Sequence, residues 1–507
     1  MTDPQGAPDS PKVVPEAPPA EGAVLEVEHY ELDDIPLFHL PMTGATILTL
    51  TFRVGRADEP VPLGGMTHLF EHLVMNTVSD ALDHSNGMTG PFQVSFTLRG
   101  TPEAAARFLR DVCRAIETPK YSRIHEEANV LRTEAAGRQG MGISQRMIWF
   151  RTGYQGIGTM SIPELFLRSL DEDALREWVT KYFVAGNAVI WIAGDIPDDL
   201  LVALPAGDRQ APPETARIPG FQTPVLVQDG IPGVGASFVV ERSAAVTAGF
   251  RTVDQHLKRA LRVNRGLAYD VGADYLPVSA TQAVANVWAT CLPAVVPEVE
   301  KVLLETIDDL AARGPSDDEL AEQSQKMARD LLDPLSIAGR LDAHARDVLF
   351  GKEPGSAAEL VDEQWALHSD DVARAFREAR DSMLFVVPPV GRRPQRHFER
   401  YPGPTMYPAG DGRSFEFIST KHDVPWARSK SPRLTVGALG LTIDSANGRR
   451  MIGIRWQDVV AVVRDPDVRM VLSRDGSSLR IGGSDWKGGR DALPLIDRVA
   501  PPTLLVG

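Results

Sequence analysis

The sequence predicts an α+β fold built from three consecutive domains, because the pattern of strands and helices changes along the chain. Between residues 24 and 387, segments that alternate apolar and polar residues, as strands do, are mixed with helix-forming segments. From residue 411 onward, short strand-like segments follow one another, with the hairpin signals Asn447-Gly448 and Asp475-Gly476 between them. A length of 507 residues agrees with three or so domains.

Composition places the boundaries between these domains. Residues 1–23 are rich in Pro, Ala and acidic groups, so a disordered tail is expected there. Pro-rich segments at 204–224 and 388–410 are expected to be linkers. The predicted domains therefore span residues 24–203, 225–387 and 411–507.

The elements expected in the first two domains follow the period of the apolar residues. Thr101 followed by Pro102 is a good helix start, because threonine caps a helix and proline fits its first turn. The first domain is expected to contain strands at 24–32, 46–54 and 92–98, and helices at 63–76, from 101 and through 124–134. The second is expected to contain strands at 238–240, 269–275 and 283–290, and helices through 262, at 297–313 and from 315. No internal repeat in the sequence is strong enough to relate the two domains.

The third domain is predicted to be a small antiparallel β-barrel capped by a helix. Strands are expected at 415–419, 433–443, 450–456, 459–464, 469–472 and 478–481, and a final helix at 489–499. This pattern resembles a small bacterial pleckstrin-homology-like domain, which implies a role in binding a protein partner. Trp456 and Trp486 are expected to be core or rim residues, and no cluster of Lys and Arg indicates lipid binding.

The strongest functional signal is the order H-x-x-E-H formed by His68, Glu71 and His72. Histidines four residues apart lie one turn apart on the same face of a helix, so both can reach one metal ion. Glu71 borders that face and could deprotonate a water activated by the metal. This inverted order is a signature of zinc metallopeptidases.

The same histidine spacing is also compatible with a solvated face of an amphipathic helix. The residues beside the motif are apolar, however, and imidazoles on a largely buried helix require partners. These flanking residues are Leu69, Phe70, Leu73 and Val74. A metal ion satisfies both imidazoles at once, so we favour a metal site.

Zinc in a hydrolytic site usually has three protein ligands, so a third ligand is expected elsewhere in the chain. Glu134 is the best candidate, because it lies seven residues after Glu127 on a helix-compatible segment and shares a face with it. One of these carboxylates would bind the metal and the other would orient the site. Without the histidine motif, Glu126, Glu127 and Glu134 would be interpreted as solvated helix carboxylates.

These residues together resemble the site of a known family. His68, Glu71 and His72, followed downstream by Glu127 and Glu134, are similar to the inverzincin site of the pitrilysin or insulinase-type zinc metallopeptidases. The resemblance covers most of the first two domains. It implies two consecutive metallopeptidase-type α/β sandwich domains, each with an antiparallel or mixed sheet packed with helices. The implied roles are zinc binding by His68, His72 and Glu134, general base catalysis by Glu71, and orientation of the site by Glu127.

The second domain adds Arg262 and Tyr269, which lie in a segment similar to the Arg/Tyr segment of that family. The resemblance implies that these two side chains approach the substrate. Peptide hydrolysis builds negative charge on the carbonyl oxygen, which a guanidinium and a phenol can stabilise. The alternative is an ordinary helix-to-strand junction.

The sequence departs from the family between His72 and Glu134, which lie closer together than is usual there. The missing residues are expected around 76–86, where relatives carry an extra helix. Residues 86–89 and 92–98, which follow, resemble the family's edge strand, which pairs with extended substrate. We therefore expect the shortening to alter the substrate groove more than zinc binding.

Composition restricts the partners and the compartment. The net charge of −15 at pH 7 disfavours nucleic acid or an anionic membrane as the main partner. Cys113 and Cys291 are far apart in sequence, so no disulfide framework is expected, which agrees with a reducing cytoplasm. Since no secretory signal and no transmembrane segment is visible, a cytoplasmic location is expected.

The sequence therefore predicts a cytoplasmic zinc metallopeptidase that cleaves peptides or unfolded protein segments internally. The family resemblance implies a two-subunit chamber, formed by a homodimer or by a heterodimer with a related subunit. Arg262 and Tyr269 would then face the zinc of the other subunit. The alternatives are a catalytically inactive scaffold or binding subunit of the same fold, and an adaptor that acts through the C-terminal domain.

Overall fold

The computed structural model describes most of the three predicted domains. The described residues are 26–78, 84–137, 141–214, 218, 222–389, 398–401, 403, 406–419 and 431–507. The expected disordered tail at 1–23 lies outside the described residues, as do parts of the expected linkers and of the shortened segment at 76–86.

The first half of the chain forms a six-stranded mixed sheet. Its strands are β1 (Glu28–Leu32), β2 (Ile35–Leu40), β3 (Thr46–Phe52), β4 (Ser85–Thr89), β5 (Val94–Gly100) and β6 (Ala188–Ala193). The order across the sheet is β1-β2-β6-β3-β5-β4, in which β2 and β6 are parallel and the other neighbours antiparallel. Strand β6 is buried at every position, because helices cover both faces of the sheet.

Among the described residues of this half there are five α-helices, and four of them pack on one face of the sheet in a single core. They are α1 (Met66–Met75), α2 (Pro102–Glu117), α3 (Ile124–Gly137), α4 (Ile143–Thr152) and α5 (Glu172–Tyr182). Thr101 caps α2 as predicted, since its hydroxyl accepts a hydrogen bond from the backbone N–H of Ala104. Helix α4 is the exception, because it packs on the sheet of the second half.

The second half forms another six-stranded mixed sheet. Its strands are β7 (Val225–Gln228), β8 (Gly233–Glu241), β9 (Ala268–Pro277), β10 (Gln282–Cys291), β11 (Leu384–Val387) and β12 (Glu399–Arg400), in the order β12-β7-β11-β8-β10-β9. Its helices are α6 (Ala244–Leu257), which continues as a π-helix over Lys258–Val263, α7 (Val296–Arg313), α8 (Asp317–Leu332), α9 (Pro334–Leu349), α10 (Ala357–Trp365) and α11 (Ser369–Asp381).

The two halves repeat one topology that the sequence did not reveal. The order β2-β6-β3-β5-β4 corresponds to β7-β11-β8-β10-β9, with the same parallel and antiparallel pairs. In addition, one helix of each half packs on the sheet of the other half. Helix α4 packs on β8, β10 and β11, while α9 packs on β2, β3 and β6. These two helices bury the second face of each sheet, so each half is stabilised by packing against the other.

The C-terminal unit corrects the predicted β-barrel. Its strands are β13 (Gly412–Glu416), β14 (Arg433–Gly437), β15 (Gly440–Asp444), β16 (Arg450–Arg455), β17 (Val459–Asp465), β18 (Val468–Ser473), β19 (Ser478–Gly482) and β20 (Leu505–Val506). Among the described residues they form two four-stranded sheets, β13-β14-β15-β16 and β19-β18-β17-β20, rather than one closed barrel. A 3₁₀ turn over Trp456–Asp458 separates β16 from β17 and divides the sheets.

Other predictions for this unit are confirmed in part. Both predicted hairpin turns are present, with Gly448 at φ 77° and Gly476 at φ 86°. The predicted strand at 433–443 is wrong in one respect, because a turn divides it into β14 and β15. Trp456 and Trp486 are both buried, and the final helix, α12, spans Ala492–Val499.

The two cysteines of the chain, Cys113 and Cys291, are free thiols, as expected. In the part of the chain that the structure describes, no helix has the length and apolar character needed to cross a membrane.

Candidate metal centre

Helix α1, which carries the histidine motif, begins at a tightly packed N-terminus. The carboxylate of Glu59 accepts hydrogen bonds of 2.8 Å from the backbone N–H groups of both Gly65 and Thr67. These bonds satisfy donors that a helix N-terminus leaves without partners. Gly65 has φ 105°, and a Cβ there would lie 2.8 Å from the Cβ of Glu164. Glycine is therefore required at this position both by the backbone and by the neighbouring side chain.

The apolar residues of α1 face the core, as their pattern predicts. Leu69, Phe70, Leu73 and Val74 are all buried. His68 and His72 lie on the other side of the helix and are half-buried, with ring centroids 5.0 Å apart. The potential ligand atoms of His68, Glu71 and His72 all lie within 4.8 Å of one another. The motif is therefore folded so that its side chains can meet at one point.

Helix α3 brings the two predicted glutamates to these imidazoles. Glu134 lies between the histidines, with 3.8 Å from one carboxylate oxygen to His68 Nε2 and 3.6 Å from the other to His72 Nε2. Glu127 lies on the far side of His72, 3.6 Å from its Nδ1, and also 3.1 Å from the guanidinium of Arg123. The structure thus brings together the five side chains that the sequence singled out in the first domain.

Glu164 completes the arrangement and was not predicted from the sequence. Its carboxylate accepts a hydrogen bond of 2.9 Å from His68 Nδ1, and the guanidinium of Arg56 lies 3.2 Å from the same oxygen. The side chain of Glu164 is only 2% exposed. One sequence signal could have found it, because Glu164 is a lone charge in the otherwise apolar segment 162–167. A charge in such a setting requires a partner.

Glu71 is held in a different way from the other carboxylates. Its side chain is buried and accepts a hydrogen bond of 2.7 Å from the hydroxyl of Thr89 on β4. Burial raises the pKa of Glu71, while the Thr89 hydrogen bond and the imidazole of His68 act in the opposite direction. A Cβ at Gly87 would lie 2.5 Å from Glu71 Oε1, so the backbone of β4 passes directly beside this carboxylate. A raised pKa makes the ionised group a stronger base.

The donor set fits a zinc ion. Each imidazole meets a carboxylate at Nδ1, Glu164 for His68 and Glu127 for His72. Carboxylates in that position fix the ring orientation and the tautomer of metal-binding histidines. Both Nε2 atoms are directed to Glu134, and two imidazoles with one carboxylate are a ligand set that zinc accepts.

Arg262 and Tyr269 lie elsewhere in the molecule. Arg262 is on the π-helix after α6, and Tyr269 is near the start of β9, at one edge of the second sheet. The structure brings the two together, with the guanidinium carbon 5.9 Å from the centre of the tyrosine ring. Tyr269 is 86% exposed. Among the described residues, no hydrogen bond or ion pair joins either side chain to α1 or α3.

Comparisons with known proteins agree with this architecture. Residues 251–327 match a family model described as the Peptidase M16 inactive domain. An uncharacterized zinc protease of Mycobacterium leprae is 25% identical over 320 residues, which cover 54% of this chain and 71% of that protein.

Solved structures extend the likeness beyond those residues. A peptidase M16 inactive domain from Pseudomonas fluorescens has 16% identity and a TM-score of 0.56, covering 71% of this chain and 97% of that one. A protease from Helicobacter pylori has 15% identity and a TM-score of 0.58, covering 71% and 99%. The chain has an M16-like fold. The family model matches within the second half, so it does not include the histidine motif at residues 68–72.

Proposed function

We propose that this protein is a zinc-dependent endopeptidase that hydrolyses peptides or unfolded protein segments through a metal-activated water. The observation that carries the proposal is the orientation of the two imidazoles. Each Nδ1 meets a carboxylate, and each Nε2 lies within 4 Å of Glu134. A solvated helix face does not require such an arrangement, whereas a metal centre does.

In this proposal, His68, His72 and Glu134 hold the zinc. When bound, zinc supplies a Lewis acid that polarises the substrate carbonyl and lowers the pKa of water. Glu71 accepts the proton from the attacking water, for which its buried position beside the histidines is suitable. Glu127 orients His72 and is itself held by Arg123.

Arg262 and Tyr269 are proposed to stabilise the reacting carbonyl of a substrate bound to another subunit. Their exposure and their mutual contact support this role, because an exposed cationic and phenolic pair can face a partner. The proposed assembly is a homodimer, or a heterodimer with a related subunit, that encloses a chamber. Such a chamber admits peptides and unfolded segments.

A second candidate function is that of a catalytically inactive scaffold or binding subunit of the same fold. It is favoured by the match of residues 251–327 to an inactive-domain model. A related possibility is an adaptor that acts through the C-terminal unit, for which we propose a pleckstrin-homology-like fold. Both alternatives predict no peptide cleavage by the histidine site.

Zinc content per chain and cleavage of a mixed peptide library test the proposal directly. We expect one zinc per chain and measurable cleavage for the parent protein. Glu71→Gln keeps the shape of the side chain but removes the base, so it should retain zinc and lose at least about a hundredfold in rate. Glu305→Gln is the matched control, because Glu305 is an exposed residue on α7.

The outcomes separate the candidates. Zinc with cleavage that is lost in Glu71→Gln supports the peptidase. Stoichiometric zinc without cleavage by the parent protein, or no zinc at all, favours the scaffold. Equal loss of cleavage in Glu305→Gln would mean that the activity is not specific to this site.

A further inference from the structure

Strand β17 of the C-terminal unit is buried on both faces. Its segment Val459–Val463 is continuously apolar, a pattern typical of strands covered on both sides. Val462 packs in the core of its own unit, together with α12. Ala461 and Val463 point the other way and pack against the first half of the chain. The C-terminal unit is therefore fixed to the first half through this sheet.

The surface that this sheet covers belongs to the segments around the histidine site. Val61, Ile162 and Leu165 of the first half form one buried cluster with Ala461, Val463, Leu472 and Val506. Val61 begins a 3₁₀ turn that leads into α1, and Leu165 begins another directly after Glu164. The backbone N–H of Phe166 donates a hydrogen bond of 2.8 Å to the carbonyl of Gly64, which ties the two segments together.

Polar contacts extend the same junction. Arg168 forms an ion pair of 3.2 Å with Asp465 at the end of β17. A cavity of about 470 Å³ lies beside this pair, and its lining includes Glu164, Arg464 and Asp465. Glu164 is therefore adjacent in sequence to Leu165 of the apolar cluster, and it lines a cavity that residues of the C-terminal unit also line. The carboxylate of Glu164 accepts the hydrogen bond from Nδ1 of His68.

We propose that Glu164 is a positioning residue for His68, and that the C-terminal sheet sets the metal affinity of the centre by holding the Glu164 segment in place. The inference rests on the proposed zinc site, and it adds a coupling between that site and a separate unit of the chain. A partner that binds the C-terminal unit and shifts its sheet would thereby change metal binding. The chemical link is short, because Leu165 packs under the sheet and Glu164 is its neighbour in sequence.

The test measures zinc affinity of the full-length chain by competition with a chelator, together with the absorption spectrum of the cobalt(II)-loaded protein. Removing a carboxylate that orients a metal-bound histidine weakens metal binding by about 10- to 100-fold, so we expect this loss for Glu164→Ala. Glu164→Gln retains an oxygen that can accept the hydrogen bond from Nδ1, so it should recover part of the affinity and of the parent cobalt spectrum.

The coupling is tested from the C-terminal side. Val463→Asp places a charge in the apolar junction without touching the histidines, and it should weaken zinc binding in the same direction as Glu164→Ala. Leu439→Asp is the matched control, because Leu439 is an exposed residue of the same unit, and its zinc affinity should equal that of the parent protein. If Val463→Asp fails to fold, Asp465→Arg provides a milder change at the exposed ion pair. Its smaller loss should be reversed in the double variant Arg168→Asp/Asp465→Arg.

The possible failures are distinguishable. A parent protein that binds no zinc overturns the proposed function and, with it, the positioning role. A parent protein that binds zinc, combined with parent-like affinity in Glu164→Ala, overturns the positioning role alone. The third outcome is that Glu164→Ala loses zinc affinity, whereas Val463→Asp and Asp465→Arg both fold and keep the affinity and cobalt spectrum of the parent protein. This outcome overturns the coupling to the C-terminal sheet.

Discussion

The two halves of the molecule share one strand order but differ at the corresponding pair of helices. In the first half, α1 and α3 bring two imidazoles against Glu127 and Glu134. In the second half, α6 and α8 occupy the corresponding positions, and their buried contact is a neutral hydrogen bond of 2.8 Å from Gln323 to Thr252. Beside it, a single imidazole, His256, meets a single carboxylate, Glu319, at 2.5 Å.

This difference shows that the fold fixes the positions of the helices, whereas a few side chains determine the chemistry at those positions. A buried carboxylate such as Glu127 is costly unless it is paired, so the first half needs Arg123 and His72 as its partners. The neutral pair in the second half carries no such cost. The second half instead modifies the end of α6, where a π-helix carries Arg262. Short π-helical segments are frequent at functional sites.

The largest effect is expected from a pair of histidine variants, one in each half. His72→Ala removes one of three proposed ligands, so it should abolish both zinc binding and hydrolysis. His256→Ala removes a half-exposed ion pair in the corresponding helix of the second half and should leave both unchanged. Metal analysis of the two purified variants and a peptide cleavage assay decide the result. Zinc loss in His256→Ala would show that the second half also contributes to the metal site.

The next largest effect is expected at Arg262, which is proposed to act on the zinc site of another subunit. Arg262→Ala should lower kcat by about 100- to 1,000-fold, as expected for a lost donor to the reacting carbonyl, without changing zinc content. Its melting temperature should stay constant, because Arg262 is exposed. Arg259→Ala, at an exposed neighbour on the same π-helix, is the control and should retain full activity.

Mixing two inactive variants sharpens this prediction. If Arg262 acts on the zinc site of the other subunit, a mixture of Arg262→Ala and Glu71→Gln should regain activity. The mixed dimer contains one site with both groups intact. Activity that stays absent in a mixture shown to exchange subunits would exclude a shared site of this kind.

The sequence predicted the parts of the candidate site that depend on local periodicity. The motif places His68 and His72 on one face of a helix, and a separation of seven does the same for Glu127 and Glu134. The structure brings these residues together. Glu164 was missed because it lies 96 residues from His68, so only tertiary packing defines their contact.

The repeated topology of the two sheets and the details of the C-terminal unit could not be derived in the same way. The repeated topology of the two sheets depends on pairing between distant strands, which no local pattern records. In the C-terminal unit, the apolar residues on both sides of Ala438 predict one continuous strand, whereas the structure has two. Gly437 and Gly440 flank the turn there and were the available signal. Closure into a barrel cannot be read from strand lengths alone, because it depends on how the first and last strands meet.

A smaller effect is expected from glycine substitutions that again compare the halves. Gly65→Ala forces φ 105° on an alanine and places its Cβ against Glu164, so it should destabilise the protein by about 1–3 kcal/mol. Gly339→Ala lies in the interior of α9, where a Cβ meets no neighbour, and should stabilise the protein by about 0.5–1 kcal/mol. Denaturant unfolding measures both changes. A neutral Gly65→Ala would mean that the start of α1 can rearrange.

The smallest effect is expected at the hydrogen bond that joins β4 to Glu71. Thr89→Val keeps the shape of the side chain but removes the donor, which contributes about 1 kcal/mol, or roughly a fivefold loss in kcat/KM. Thr97→Val is the control, because Thr97 lies on β5 and its hydroxyl makes a similar contact with Thr49 on β3. Zinc content should be unchanged in both. A loss in Thr89→Val alone would show that the edge strand of the first sheet supports the base, whereas equal rates would mean that burial alone holds Glu71 in place.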